Sequence, residues 1–246
     1  MMSAIPQAPT ICRETPIPLY GVTHDRDWQP LVRVRSKSGV RQLLLFCGIV
    51  SSVLYAGMNV FVPMKWGDYN SASQTVSDLS AIGAPTRQLW VALGIGYAIL
   101  ITGFGSGVWA SARRNRYLRV VGALLLAYGV TSLVWPFAPM HLRGTEFTLT
   151  DTMHIVLALA SVLLMLLAIG FAANAFGNWF WRYSVASIVM IVVFGTLTGL
   201  DASRISSNLP TPWVGVWERI DIGVFLLWVV ALAIALWVRP EEQTVP

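Results

Sequence analysis

Six stretches of this chain are apolar for long enough to cross a lipid bilayer, and that property excludes most other folds. A helix rising 1.5 Å per residue needs about 20 apolar residues to cover roughly 30 Å of hydrocarbon. The predicted spans are residues 42–64, 88–112, 118–140, 152–176, 181–200 and 214–238. The last is long enough only when extended back through Val214 to Ile220, which draws Glu218, Arg219 and Asp221 into its membrane end. The expected fold class is an all-α integral membrane protein, a bundle of six transmembrane helices, because such helices satisfy their own backbone groups in lipid. A composition 55% hydrophobic and only 12% charged agrees.

The formal charge of +5 invites a nucleic-acid reading, but the basic residues flank the apolar runs instead of forming a patch. No nucleic-acid partner is expected, and flanking Lys and Arg instead report orientation. Arg33, Arg35, Lys37 and Arg41 precede the first span, and Arg113, Arg114, Arg116 and Arg119 lie between the second and third. Both groups fall on one side of the membrane, with Arg182 and Arg239, so the protein is predicted N-in/C-in, with both termini cytoplasmic. Tryptophans follow the same division: Trp66, Trp90, Trp135, Trp213 and Trp217 at the outer interface, Trp109, Trp179, Trp181 and Trp237 at the inner. The expected organisation is a disordered cytoplasmic tail over 1–40, a membrane domain over 41–239 and a short cytoplasmic tail over 240–246. The expected location is the plasma membrane, the bacterial inner membrane. Residues 1–40 show no secretory-signal pattern, and Cys12 and Cys47 imply no disulfide framework.

Ionisable residues in membrane spans are costly, so each calls for a partner or a function. With the orientation above they gather in the outer halves: Asp151 and His154 at the start of span four, Asp201 after span five, Glu218, Arg219 and Asp221 on span six. Neutral polar residues share that bias, in stripes Ser52/Tyr55/Asn59 and Tyr128/Thr131/Ser132/Trp135. Converging stripes at one depth predict a water-accessible outward pocket. Asp151 and His154, three apart on one helix face, are the candidate catalytic pair, the carboxylate orienting an imidazole base. The bland alternative makes Thr148 or Thr150 the N-cap and Asp151 a charge at the positive helix end. Asp78, Asn59, Asp201, Glu218, Arg219 and Asp221 are the candidate ligand-binding residues. Glu218 and Asp221 share a face as like charges, so one of Arg87, Arg143, Arg204 and Arg219 should lie near, and a network of such pairs closing the outer end is the structural alternative. No metal site is predicted, because His141, His154, Asp78 and Asp201 match no standard zinc spacing.

The loop after span one, TVSDLSAIGAPTR, carries Ser77 and Asp78 as caps and Pro85 as a residue for the next helix's first turn. Ser77 or Ser80 could meet His154 as a nucleophile, although no GxSxG elbow is present. Gly103 and Gly107 form a GxxxG pair, read as packing within the chain, with a homodimer as the lesser alternative.

Three segments carry a family resemblance: SDLSAIGAP (Ser77 to Pro85), the Asp-x-x-His of Asp151 and His154, and ERIDIGVFLLW (Glu218 to Trp228). Through them the chain resembles the domain-of-unknown-function 998 family over residues 42–238. The resemblance implies a six-span prokaryotic membrane protein and brings no assigned activity. A remoter similarity is to seven-span zinc hydrolases related to alkaline ceramidase, whose paired HxxxH and seventh span this chain lacks. The first functional expectation is a pocket binding a lipid head group or other amphiphile, with the lipid bilayer as the general partner. The others are an outward-facing hydrolase or transferase using Asp151 and His154, and a structural or sensor protein held by salt bridges. No cofactor is expected, and neither a Walker loop nor a dinucleotide fingerprint occurs.

Overall fold

The computed structural model describes residues 32–239. The expected tails over 1–31 and 240–246 lie outside the described residues. The first helix already begins at Val32, so residues 32–40, assigned above to the tail, are its opening turns. The elements in order are α1 (Val32–Phe61), α2 (Arg87–Ser111), α3 (Arg116–Ser132), α4 (Leu149–Ala173), α5 (Asn178–Leu200), α6 (Ala202–Ser206) and α7 (Val214–Trp237), with short 3-10 turns at Pro63–Lys65, Ser77–Ser80 and Trp135–Phe137. Six helical segments are long and apolar enough to cross a membrane: Gly39–Lys65, Arg87–Ser111, Arg116–Phe137, Leu149–Ala173, Asn178–Ser206 and Val214–Trp237. The all-α six-span class is the one expected.

Local chemistry sets the ends. Asn115 caps α3, its side-chain oxygen accepting from the amides of Tyr117 and Leu118. The third span was expected as one helix to residue 140, but its α-helix stops at Ser132 and continues as the 3-10 turn holding Pro136, which has no amide to donate. Helix α4 begins at Leu149, earlier than expected, because Thr148 and Asp151 form a capping box. Pro85 does not enter the first turn of α2; Thr86 follows it as the N-cap.

The membrane helices close a ring in which each packs against its neighbours in the chain, α1 against α2, then α3, α4, α5 and α7, with α7 returning to α1. Three long connections, 62–86, 133–148 and 201–213, meet at one end, here the polar end, while the turns 112–115 and 174–177 close the other. The main core runs through the ring, with Leu45, Phe104, Leu118, Phe225, Trp228 and Leu232 almost fully buried. A smaller core of Met58, Val62, Val76, Leu79 and Trp90 seats the 62–86 loop on the helices. A Cβ on Gly107 would stand 2.9 Å from Leu44 Cβ, and one on Gly103 3.5 Å from Cys47 Sγ. The GxxxG face of α2 is therefore covered by α1 of the same chain.

Candidate functional site

Ser77, Asp78 and Ser80 lie on a connection, 62–86, whose regular structure is limited to two short 3-10 turns, so side chains must hold it. Asp78, fully buried, accepts from the Thr75 amide at 2.8 Å. Its Oδ2 also stands 3.6 Å from Arg143 Nη2. Arg143 donates to Thr211 Oγ1 at 2.6 Å and to the Ser73 carbonyl at 3.0 Å, so one guanidinium ties all three polar-end connections together. Glu218 of α7 accepts from the Val76 amide at 2.6 Å, next to Ser77. Arg219 donates to the carbonyls of Ser71 (2.8 Å) and Gly215 (2.9 Å) and to the Tyr69 hydroxyl (2.7 Å). Burial pushes the Tyr69 phenol up to about 12, so it stays protonated and donates onward to the Thr75 carbonyl at 2.6 Å. Arg87 closes the series on the Ser80 carbonyl at 3.0 Å. The arginines serve loop carbonyls as much as carboxylates. Arg143 stands by Asp78 and Arg204 by Asp201, at 3.7 Å, whereas Glu218 takes a backbone amide.

The candidate catalytic pair does not come together as expected. Asp151 accepts from the Thr148 amide (2.9 Å), the Thr148 hydroxyl (2.8 Å) and the His141 amide (2.7 Å), and its Oδ2 lies 2.9 Å from His141 Nδ1. Its geometry is that of the N-cap alternative. His154, 7% exposed, instead has Nδ1 2.9 Å from the Ala138 carbonyl and Nε2 3.1 Å from Ser77 Oγ. A carbonyl oxygen only accepts, so Nδ1 carries the proton, and in the neutral ring Nε2 is left to accept from the Ser77 hydroxyl. Trp135 and the imidazole pack in a T-shaped arrangement, 4.6 Å between ring centres at 73°. A parallel bridge between Ile82 and His141, with the Ile82 amide on the Met140 carbonyl at 2.8 Å, docks the serine loop onto the segment that orients the histidine.

Ser77 and His154 line a cavity of about 470 Å³ inside the ring at the polar end, within the roughly 300–1,000 Å³ of small-molecule sites. Its walls are mainly apolar, drawn from every helix, α1 through α7, and from the polar-end loops, with Tyr55, Tyr128 and Phe225 among them. Tyr128 and Tyr97 share a hydrogen bond at 3.0 Å. Ile155 and Leu159 line the cavity yet are 46% and 67% exposed, so it reaches the bundle surface along α4. Two buried polar atoms on its wall, Asp221 Oδ1 and Ser161 Oγ, have no hydrogen-bond partner among the described residues.

Of the candidate ligand-binding residues, Glu218 and Asp221 line this cavity, and Asp78, Asn59, Asp201 and Arg219 do not. Asn59 donates back to the Tyr55 carbonyl on its own helix at 2.9 Å. Among the described residues no three His, Cys, Asp or Glu side chains group to hold a metal ion. Ser77, weighed from the sequence together with Ser80 as a nucleophile that could meet His154, stood outside the candidate site residues. Its loop sits 77 positions from His154, and no side-chain spacing encodes the meeting. The signal available was compositional: a polar SDLS turn in a chain whose spans carry few polar groups.

No curated protein and no solved structure matches the chain. A family model described as a protein of unknown function, DUF998, matches residues 49–235, a stretch that reaches into all six spans and includes the loop carrying Ser77 and the helix positions Asp151 and Glu218. This multi-pass membrane protein belongs to the domain-of-unknown-function 998 family.

Proposed function

We propose that the polar-end cavity binds an amphiphile, a molecule with an acyl or alkyl chain and a polar head. The observation that carries the reading is the mismatch inside the cavity. An apolar chamber has two buried polar atoms on its lining residues, Asp221 Oδ1 and Ser161 Oγ, that none of the described residues satisfies. A buried donor or acceptor left unpaired costs about 1–3 kcal/mol, which a ligand head group or its water would recover. The apolar walls would take the chain. Access along exposed Ile155 and Leu159 suits a molecule arriving sideways from the bilayer. Glu218 and Asp221 would meet the head group, while Asp78, Asn59, Asp201 and Arg219 would act at one remove by holding the frame.

In this reading the polar end faces outward, the termini are cytoplasmic and the membrane is the bacterial inner membrane. Support comes from Arg113, Arg114, Arg116 and Arg119, which cluster at the turn 112–115 and the start of α3, at the opposite end. Native mass spectrometry of gently extracted protein tests the binding. Wild type is expected to carry one amphiphile per chain, and Ala158→Trp, which fills the cavity, to lose it. A bare wild type, or an adduct equally present in both, would refute the reading.

A further inference from the structure

We infer that Ser77 and His154 are a nucleophile and general base that cleave the carboxylic ester of an acylated amphiphile held in this cavity. The inference rests on the amphiphile reading above and adds a reaction to it.

The geometry is that of an activated hydroxyl. Ser77 Oγ is 3.1 Å from His154 Nε2, and the Ala138 carbonyl at 2.9 Å fixes the proton on Nδ1, so the nitrogen facing the serine is the basic one. The role that a carboxylate holds in a Ser-His-Asp triad falls here to a backbone carbonyl. Trp135 packs against the imidazole in a T-shaped contact.

Exposure argues the same way. Thr75, Val76, Asp78 and Leu79 are all buried, and Ser77 alone in that run is not. A serine serving only as a structural partner for a histidine gains nothing from facing a chamber, yet both groups line the cavity wall. The frame around Ser77 is also stiffer than a surface loop needs. Glu218 holds the preceding amide, Asp78 holds the Thr75 amide, Arg87 holds the Ser80 carbonyl, and Thr86 Oγ1 donates to the Leu79 carbonyl at 2.8 Å. Reacting groups held near attack distance convert binding into rate.

The chemistry balances with water as the second reactant. Ser77 Oγ bonds to the ester carbonyl carbon while His154 Nε2 takes its proton. The carbon–oxygen bond to the alcohol then breaks, and Nε2 returns the proton to the departing oxygen, leaving acyl-Ser77 and free alcohol. Water, deprotonated by Nε2, attacks the acyl carbon and releases the acid and the serine. An ester suits this dyad better than an amide. A carbonyl dipole supports the transient imidazolium less than a carboxylate would, and an alkoxide leaves more readily than an amine anion.

The test is covalent labelling of the full chain in mild detergent with a long-chain alkyl fluorophosphonate, followed by intact-mass measurement and peptide mapping. Attack by Ser77 Oγ on phosphorus expels fluoride and leaves one phosphonyl group. Wild type is expected to gain one such group, mapped to Ser77. Ser80→Ala should label as wild type, Ser77→Ala should not label, and His154→Gln should label at least about 100-fold more slowly. No wild-type adduct, an adduct mapped elsewhere, or His154→Gln labelling at the wild-type rate would overturn the inference. Mapping the wild-type adduct needs no variant to fold. Native mass spectrometry of Ser77→Ala with an unreactive alkyl ether glycerol separates the two readings. Ether lipid retained without wild-type labelling defeats the reaction alone, and loss of both defeats the cavity as well.

Discussion

At one end of the ring, four-residue turns join α2 to α3 and α4 to α5, and apolar side chains such as Leu118 and Phe180 pack directly beneath them. At the other, long connections are laced together by Arg143, Arg219, Glu218 and Asp78. The first end is closed by short turns and helix contact, and a few local hydrogen bonds suffice there: Asn115 capping α3, and Arg239 on the Ala175 carbonyl at 2.6 Å. The second buries charged groups at a cost that packing alone would not justify. The difference separates what makes the bundle stable from what holds one loop in one place, so changes at the two ends should fail in different ways.

The largest effect is expected at the polar end. Arg143→Met strands the carboxylate of Asp78, whose side chain is 1% exposed, and should cost about 3–5 kcal/mol in detergent unfolding. Adding Asp78→Asn should recover a good part of that loss. If the single change is silent, Arg143 is not what holds the connections. At the packed core Phe104→Ala should cost about 3 kcal/mol while leaving the labelling of Ser77 in the folded fraction unchanged. Gly215→Ala addresses the boundary between the regions. Its Cβ would run into the carbonyls of Gln74 and Ser71, so it should cost about 1–3 kcal/mol and slow Ser77 labelling together. A loss of stability with labelling intact would show that the loop frame does not position the serine. The smallest stability change belongs to Asp221→Asn. No partner is broken, so unfolding should shift by roughly 0.5 kcal/mol or less while amphiphile retention falls.

This contrast is partly legible in the sequence. Length and apolarity called for six crossings, and six helices long and apolar enough to span a membrane are present, because lipid imposes a minimum helix length on every crossing. The gathering of Asp151, His154, Glu218 and Asp221 toward one end followed from the same register. Their partners did not follow. Asp151 turns to His141 because residues 138–148 fold back over the start of α4, and helix-face spacing contains no information about that return. Arg219 and Arg87 act on backbone carbonyls, which every residue possesses, so side-chain patterns could not single them out. The meeting of Ser77 with His154 needs α4 and two separate loops in register, and it emerges only once the ring is closed.

The most direct test of the division between the two ends is photocrosslinking in membranes with a diazirine-bearing acyl amphiphile, read by peptide mapping. Saturable crosslinks at Leu159, Val162 and Gly195, abolished by Ala158→Trp, are the expected result. Labelling spread evenly over the lipid-facing helix surfaces, unsaturable and unchanged in the variant, would contradict an amphiphile site at the polar end.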